Sequence, residues 1–188
     1  MVHPGRPLFD DLFTLDSVAT GTLLVRRQRV DVKSIVALAV ETCAPVISAC
    51  THRFEIRLPQ RAVFIDADST SLAQAILNLL DNAAKYSAPR GQVTLSVGRR
   101  DGEVMICVQD DGIGIASEML RAIFGLFVQR GSTLTGERHG MGIGLHLAKH
   151  IVELHDGRVE AHSEGLGCGS AFTVCLPETV GPSAVPTF

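Results

Sequence analysis

The sequence lacks a CxxC pair: Cys43, Cys50, Cys107, Cys168 and Cys175 are odd in number and scattered along the 188 residues. That pattern gives no disulfide framework and fits a reduced, cytoplasmic setting, with Cys107 and Cys175 inside apolar strand-like runs as small hydrophobes. No apolar run reaches the length of a membrane span and no signal peptide is visible at the start, so any membrane attachment is expected outside this chain. Clustered positive charge is scarce as well. Lysine and arginine number 17 against 20 aspartates and glutamates, a net charge of −3, and only Arg26-Arg27-Gln28-Arg29 stands out. Such a balance weighs against nucleic acid as a partner. There is no GxxxxGK[ST], no G-x-S-x-G and no H-E-x-x-H, and no internal repeat. A Walker-type nucleotide loop, a nucleophile elbow and a zincin helix are thereby set aside. His146 and His150 stand at a workable zinc spacing, with His155 beyond, yet the pattern supplies no further ligand.

What is present is enough for one well-buried domain, since 46% of the residues are hydrophobic. Pro4, Gly5 and Pro7 mark a loose start, followed by a helical pattern from Leu8 to about Arg29 that Gly21 interrupts. Asp31 is placed to cap a helix in which Val32, Ile35, Val36, Ala39, Val40 and Cys43 recur at helical spacing, with Pro45 positioned to kink or shorten it. Alternation over 54–58 and 62–65 around Pro59-Gln60 predicts a hairpin. A second alternates over 93–97 and 104–108 across Asp101-Gly102. A third spans 158–163 and 170–176 around Gly165, Gly167 and Gly169. Ser117 opens a short predicted helix through Ile123; another runs from Ile143 to His155, with Gly157 at its C-terminal cap. Residues 129–139 show no periodicity, and 178–188 have nothing to bury. Strands that pair mostly as hairpins, interleaved with helices, predict an α+β two-layer sandwich: a mixed, mostly antiparallel sheet with helices on one face.

Three stretches carry chemistry. On the helix Leu72–Tyr86 the residues Leu72, Ile76, Leu79, Leu80 and Ala83 form one stripe, while Asn78, Asn82 and Lys85 form another. Asparagine is a mediocre helix former; paired amide oxygens suit a hard cation such as magnesium, and a nearby ammonium suits phosphate. Asp110-Asp111-Gly112-Ile113-Gly114 ends a strand, where a carboxylate accepts from an amine and glycines admit a close approach. Gly140-Met141-Gly142-Ile143-Gly144-Leu145 feeds a helix N-terminus, an anion site by its free N–H groups and dipole.

In this order the stretches resemble the catalytic, ATP-binding domain of sensor histidine kinases, in the superfamily that includes gyrase, Hsp90 and MutL. The resemblance spans Asp31 to Pro177: residues 78–86 resemble the N box, 110–114 and 140–145 the two glycine boxes, and Phe124-Gly125-Leu126-Phe127 the F box. It implies the Bergerat-type fold, with ATP and Mg2+ as ligands. Asn78 and Asn82 would hold magnesium, Lys85 would meet phosphate, and Tyr86 and Ile113 would line the nucleotide. Asp110 would accept the adenine amino group beside Gly112 and Gly114. Gly140, Met141, Gly142, Ile143, Gly144 and Leu145 would surround the triphosphate, and Phe124 and Phe127 would anchor a lid over 129–139. Residues 1–29 would be the remnant of a dimerisation helix and linker, 30–178 the catalytic domain, and 179–188 a tail.

The family's hydrolysing branches usually place a glutamate where Asn78 stands, and an amide cannot serve as that general base. The resemblance therefore implies transfer of the γ-phosphate to a protein histidine, with a response regulator downstream. Two departures stand out. The phosphoacceptor box is absent, so the chain is a fragment of a longer kinase or a module acting in trans on a histidine-bearing dimerisation domain. Gln129 replaces the usual arginine after the F box, with Arg130 and Arg138 as substitutes, and Gly125-Leu126 replaces an acidic-proline pair. A nucleotide-binding regulatory module without turnover, and an ATP-driven clamp or ATPase, remain the alternatives.

Overall fold

The computed structural model describes residues 25–49, 52–88, 90–125 and 143–179, with the side chains of 45–49 left aside. In chain order the elements are β1 (Gln28–Asp31), α1 (Val32–Ala49), β2 (Arg53–Arg57), β3 (Phe64–Ala67), α2 (Ser69–Tyr86), β4 (Gln92–Arg100), β5 (Glu103–Asp110), α3 (Gly144–Glu153), β6 (Arg158–His162) and β7 (Ser170–Pro177). Five strands form one sheet in the order β2-β4-β5-β7-β6, and β1 pairs with β3 in a second, two-stranded sheet. Only β2 against β4 is parallel in the larger sheet; its other pairs are antiparallel.

The core follows from strand alternation. Val93 and Leu95 on β4, Val104, Ile106 and Val108 on β5, and Phe172, Val174 and Leu176 on β7 are buried on one face. That face carries the helices, so the two-layer α+β sandwich and its mixed sheet are as expected. Helix α2 is the centre of the helical layer. Leu72, Ala73, Ala75, Ile76, Leu77, Leu79, Leu80, Ala83 and Ala84 are all buried, a wider apolar arc than one stripe, because α1 and α3 both pack on it. Its start is capped by Asp68, whose Oδ1 accepts the Ser71 N–H at 3.0 Å. Helix α1 buries Val32, Ile35, Val36, Ala39 and Cys43, and the Asp31 carboxylate accepts the Lys33 N–H at 3.1 Å, the capping role its position predicts.

Several local expectations are corrected. The strands over 54–58 and 62–65 do not form a hairpin: β2 lies beside β4 in one sheet and β3 beside β1 in the other. Alternation specifies which face is buried, not which strand is the neighbour, and the connection here is too long for a tight two-residue turn. Gln28 and Arg29 are strand, not the end of a helix; residues 1–24 lie outside the described residues. Pro45 costs one backbone N–H without ending α1, which runs to Ala49. Residues 117–124 make successive turns rather than a helix, mixing i→i+3 bonds such as Ala122 N–H to Met119 O with a single i→i+4 bond. The Asp101-Gly102 hairpin is as read, with φ of 53° and 79° at its two central residues. Beyond Pro177, Glu178 and Thr179 are tied down: the Thr179 N–H donates to Phe64 O at 2.8 Å, joining the two sheets. Among the described residues no helix is long and apolar enough to cross a membrane.

Helix α3 ends in a Schellman motif, with Gly157 N–H on Val152 O and Asp156 N–H on Glu153 O. The left-handed residue is Asp156 (φ 58°), not Gly157. Gly157 is required for packing instead, since a Cβ there would sit 2.5 Å from Cys175 O. His155, 2% exposed, lies inside this turn. Its Nδ1 pairs with Ile151 O at 2.7 Å and its Nε2 accepts the Asp68 N–H at 3.0 Å, which fixes a neutral ring with hydrogen on Nδ1. Burial pushes the imidazole below its ordinary value near 6.5, the Ile151 bond opposes that, and the Arg27 charge adds to it.

A depressed imidazole binds its proton more readily in the unfolded chain, so stability is lost as pH falls below about 6.5. The unfolding free energy from urea denaturation is expected to drop between about pH 7 and pH 5.5, with a slope of up to about 1.4 kcal/mol per pH unit from this group. In His155→Gln that portion of the slope should vanish; an unchanged slope would refute the assignment.

Candidate functional site

Asn78, Asn82, Lys85 and Tyr86 occupy the second half of α2, and its last residue meets the acidic-glycine run at 110–114 through the Ile113 N–H on Tyr86 O. Asn78 is buried at 5% exposure and its Oδ1 accepts from Gln74 Nε2 at 3.2 Å, one helical turn earlier. A Cβ added at Gly144 would lie 3.8 Å from both Cβ and Cγ of Asn78, so the first turn of α3 rests against the asparagine. Ile143, at the N-cap of that helix, makes no side-chain capping bond, and a helix start favours an anion by its N–H groups and dipole. Asn82 is half-buried one turn further along α2, and Tyr86 closes the helix. Lys85 is exposed and its Nζ donates to Asp81 Oδ2 at 2.5 Å.

Asp110, at the end of β5, is 4% exposed. Its Oδ1 accepts the Gly112 N–H at 2.9 Å and its Oδ2 accepts the Ser170 hydroxyl at 2.5 Å. An ionised carboxylate has about four acceptor positions, so two remain for an amine. Around it two loops lie backbone to backbone. Ile113 N–H donates to Tyr86 O at 3.1 Å, Gly167 N–H to Ile113 O at 2.9 Å and Gly169 N–H to Gly112 O at 3.0 Å. Here the glycines are obligatory: a Cβ at Gly112 would meet Tyr86 O at 2.0 Å, at Gly114 (φ 67°) Gly165 O at 1.9 Å, and at Gly169 Asp110 O at 2.1 Å. The space these glycines leave is filled by protein backbone. Ile113 itself is left 49% exposed at the rim, an apolar surface beside the buried acceptor.

Phe124 meets Phe172 edge-on, with centroids 6.3 Å apart, and its carbonyl pairs with His146 Nδ1 at 3.0 Å. His146 thus joins the 117–125 turns to α3, and His155 uses both its nitrogens within the protein. Among the described residues no cluster of three histidine, cysteine, aspartate or glutamate side chains is placed to hold a metal. Ile143 is buried, and Leu145 is half-buried against the core. Phe127, Gln129, Arg130, Arg138, Gly140, Met141 and Gly142 lie outside the described residues.

Sequence reasoning missed Ser170, Ser163 and Gln74. Ser170 stands directly opposite Asp110 in the register of β5 against β7, strands that no hairpin joins, so nothing local in the sequence pairs the two. The Ser163 hydroxyl accepts the Ile115 N–H at 2.9 Å and donates to Gly169 O at 2.6 Å, knotting the loop that carries Ser170; a lone serine in a glycine-rich turn carries no signal of this.

Residues 67–180 match the family described as histidine kinase-, DNA gyrase B- and HSP90-like ATPase. Sensor protein KdpD of Clostridium acetobutylicum is 29% identical over 171 residues, covering 91% of this chain and 19% of that protein. Histidine protein kinase DivJ of Caulobacter vibrioides is 31% identical over 184 residues, covering 96% of this chain and 30% of that protein. The chain therefore spans less than a third of the length of either relative. The solved structure of the mycobacterial sensor histidine kinase MprB is 26% identical with a TM-score of 0.71, covering 83% of this chain and all of that one.

Ser170→Ala should cost about 1–3 kcal/mol, because it leaves one oxygen of a buried carboxylate without its donor. Urea denaturation measures this, and Ser170→Thr, which keeps the hydroxyl, should recover most of the loss.

Proposed function

Since the chain belongs to the histidine kinase-, DNA gyrase B- and HSP90-like ATPase family, and to its histidine kinase branch, we propose that it binds ATP with magnesium and transfers the γ-phosphate to a histidine on a separate dimerisation domain. In this reading the domain works in the cytoplasm within a two-component system, and a response regulator receives the phosphate in turn. The observation that carries the proposal is Asn78. It is a buried amide in the position that would need a carboxylate to activate water, so the site has an oxygen donor there and no general base.

Asp110 would accept the adenine amino group and repel a keto oxygen, with Ser170 and Gly112 N–H holding the carboxylate in place. Tyr86 and Ile113 would cover the ring. The donor set fits a hard divalent cation: two amide oxygens on successive turns of α2, beside the start of α3. Asn78 and Asn82 would hold magnesium there, which when bound spreads the charge on the phosphate oxygens. Gly140, Met141, Gly142, Ile143, Gly144 and Leu145 would surround the triphosphate, with the positive end of the α3 dipole beside it. Lys85 would exchange Asp81 for phosphate, a small cost because exposed ion pairs are worth about 0–1 kcal/mol. Phe124 and Phe127 would anchor the lid, with Arg130 or Arg138 supplying the cation that Gln129 does not. These residues position the phosphate in line with the acceptor imidazole, and no protein acid or base is required in the step.

Labelled ATP, magnesium and a separate histidine-bearing dimerisation domain test the reading. Acid-labile phosphate is expected on that histidine. Free phosphate alone would point to an ATPase, and binding without either product to a regulatory module. Asn82→Ala and Asp110→Ala should each weaken nucleotide binding by about tenfold or more, about 1.4 kcal/mol per decade, in calorimetry; unchanged affinity in both would overturn the site.

A further inference from the structure

Both helices of the site are fastened at their far ends to the two arginines that lead into β1. The Arg26 N–H donates to Asp68 Oδ2 at 3.0 Å, and Asp68 is the residue that caps α2. The Arg27 guanidinium donates to the Asp156 carboxylate and to Leu154 O, both at the end of α3. Between these contacts sits His155, which accepts the Asp68 N–H and donates to Ile151 O. One cluster therefore joins the entering chain, the start of α2 and the end of α3. Burial alone would raise the Asp68 carboxyl, but the N–H groups of Ser71 and Arg26 outweigh that and hold it below its ordinary value, so it stays an ionised acceptor.

We propose that His155 is a positioning residue for the nucleotide site, and that Arg27 makes nucleotide affinity depend on how the chain preceding β1 is held. The inference rests on the nucleotide reading of the site. A packed helix moves as a unit, and Asn78 and Asn82 ride on the rod whose start Asp68 fixes. Gly144, at the opposite end of α3 from Leu154, abuts Asn78. Shifting either fastened end changes how the asparagines face the start of α3, the geometry that cation and phosphate must share. Neither Arg27 nor His155 touches the ligand in this scheme. Arg27 is half-exposed and pairs with a largely exposed carboxylate, so its loss leaves the fold standing. By reciprocity, nucleotide binding must tighten the clasp by the same factor by which the clasp tightens nucleotide binding.

Calorimetry with Mg-ATP on the whole 188-residue chain tests this, together with Arg27→Ala. Weakening by about fivefold or more is expected in the variant, with a thermal midpoint close to the parent's. In the parent, Mg-ATP should also slow amide exchange at Asp68 and shift the ring nitrogen resonances of His155. Equal affinity in parent and variant, with Asp68 exchange unmoved by Mg-ATP, would overturn the clasp while leaving the nucleotide site intact. A parent that does not bind Mg-ATP at all removes the nucleotide reading first, and this inference with it.

Discussion

A carboxylate taken almost wholly out of water must be matched by donors, and at Asp110 that requirement shapes a whole corner of the molecule. One donor is the Gly112 N–H, two residues on, which forces the chain to turn back at the end of β5. The other is Ser170, which must begin β7 directly opposite. Meeting both brings the loops before and after those residues into backbone contact, which only glycine permits at 112, 114 and 169. Ser163 then knots the second loop to the first. The acceptor, the glycines and the serines are one construction. Its geometry is set by the protein's own bonds, the preorganisation on which the proposed recognition of an amine at Asp110 would rely.

Helix α2 carries the complementary half. Helices in a two-layer sandwich commonly keep one face in water, yet this one buries residues through most of its length because α1 and α3 flank it over the sheet. Asn78 lies within that enclosure. Its burial costs free energy unless its polar atoms are satisfied, and Gln74 one turn earlier supplies part of that. A buried asparagine whose oxygen is held by Gln74 has a fixed orientation, which is what the proposed oxygen-ligand role would use.

Much of this was legible in the sequence because the signals were periodic or stereochemically narrow. Alternation in 93–97 and 104–108 with Asp101-Gly102 between them predicts one geometry, and the structure has it. The acidic-glycine run at 110–114 meets the end of the asparagine-bearing helix, Ile113 N–H on Tyr86 O, which is the juxtaposition the proposed site needs. What failed was partner choice. Residues 54–58 and 62–65 read as a hairpin, yet the neighbour of β2 arrives only after α2, since adjacency in a sheet is settled by which faces the whole chain can cover. Gly157 was assigned by its conformational freedom when its role is close approach to Cys175 O. Ser163 and Ser170 were silent because a hydroxyl reveals its partners only in three dimensions.

Strand β3 has a part that its four residues do not advertise. It pairs with β1, the first strand among the described residues, and through Phe64 it also receives the N–H of Thr179, the last of them. Arg29 lies over the Phe64 ring at 4.3 Å, adding a cation–π contact at the same place. The first and last described segments thus meet at one small ladder, a separate sheet from the five-stranded one. Because Phe64 stands in register with Asp31 and also receives Thr179, parting β1 from β3 would loosen the first and the last described segments together.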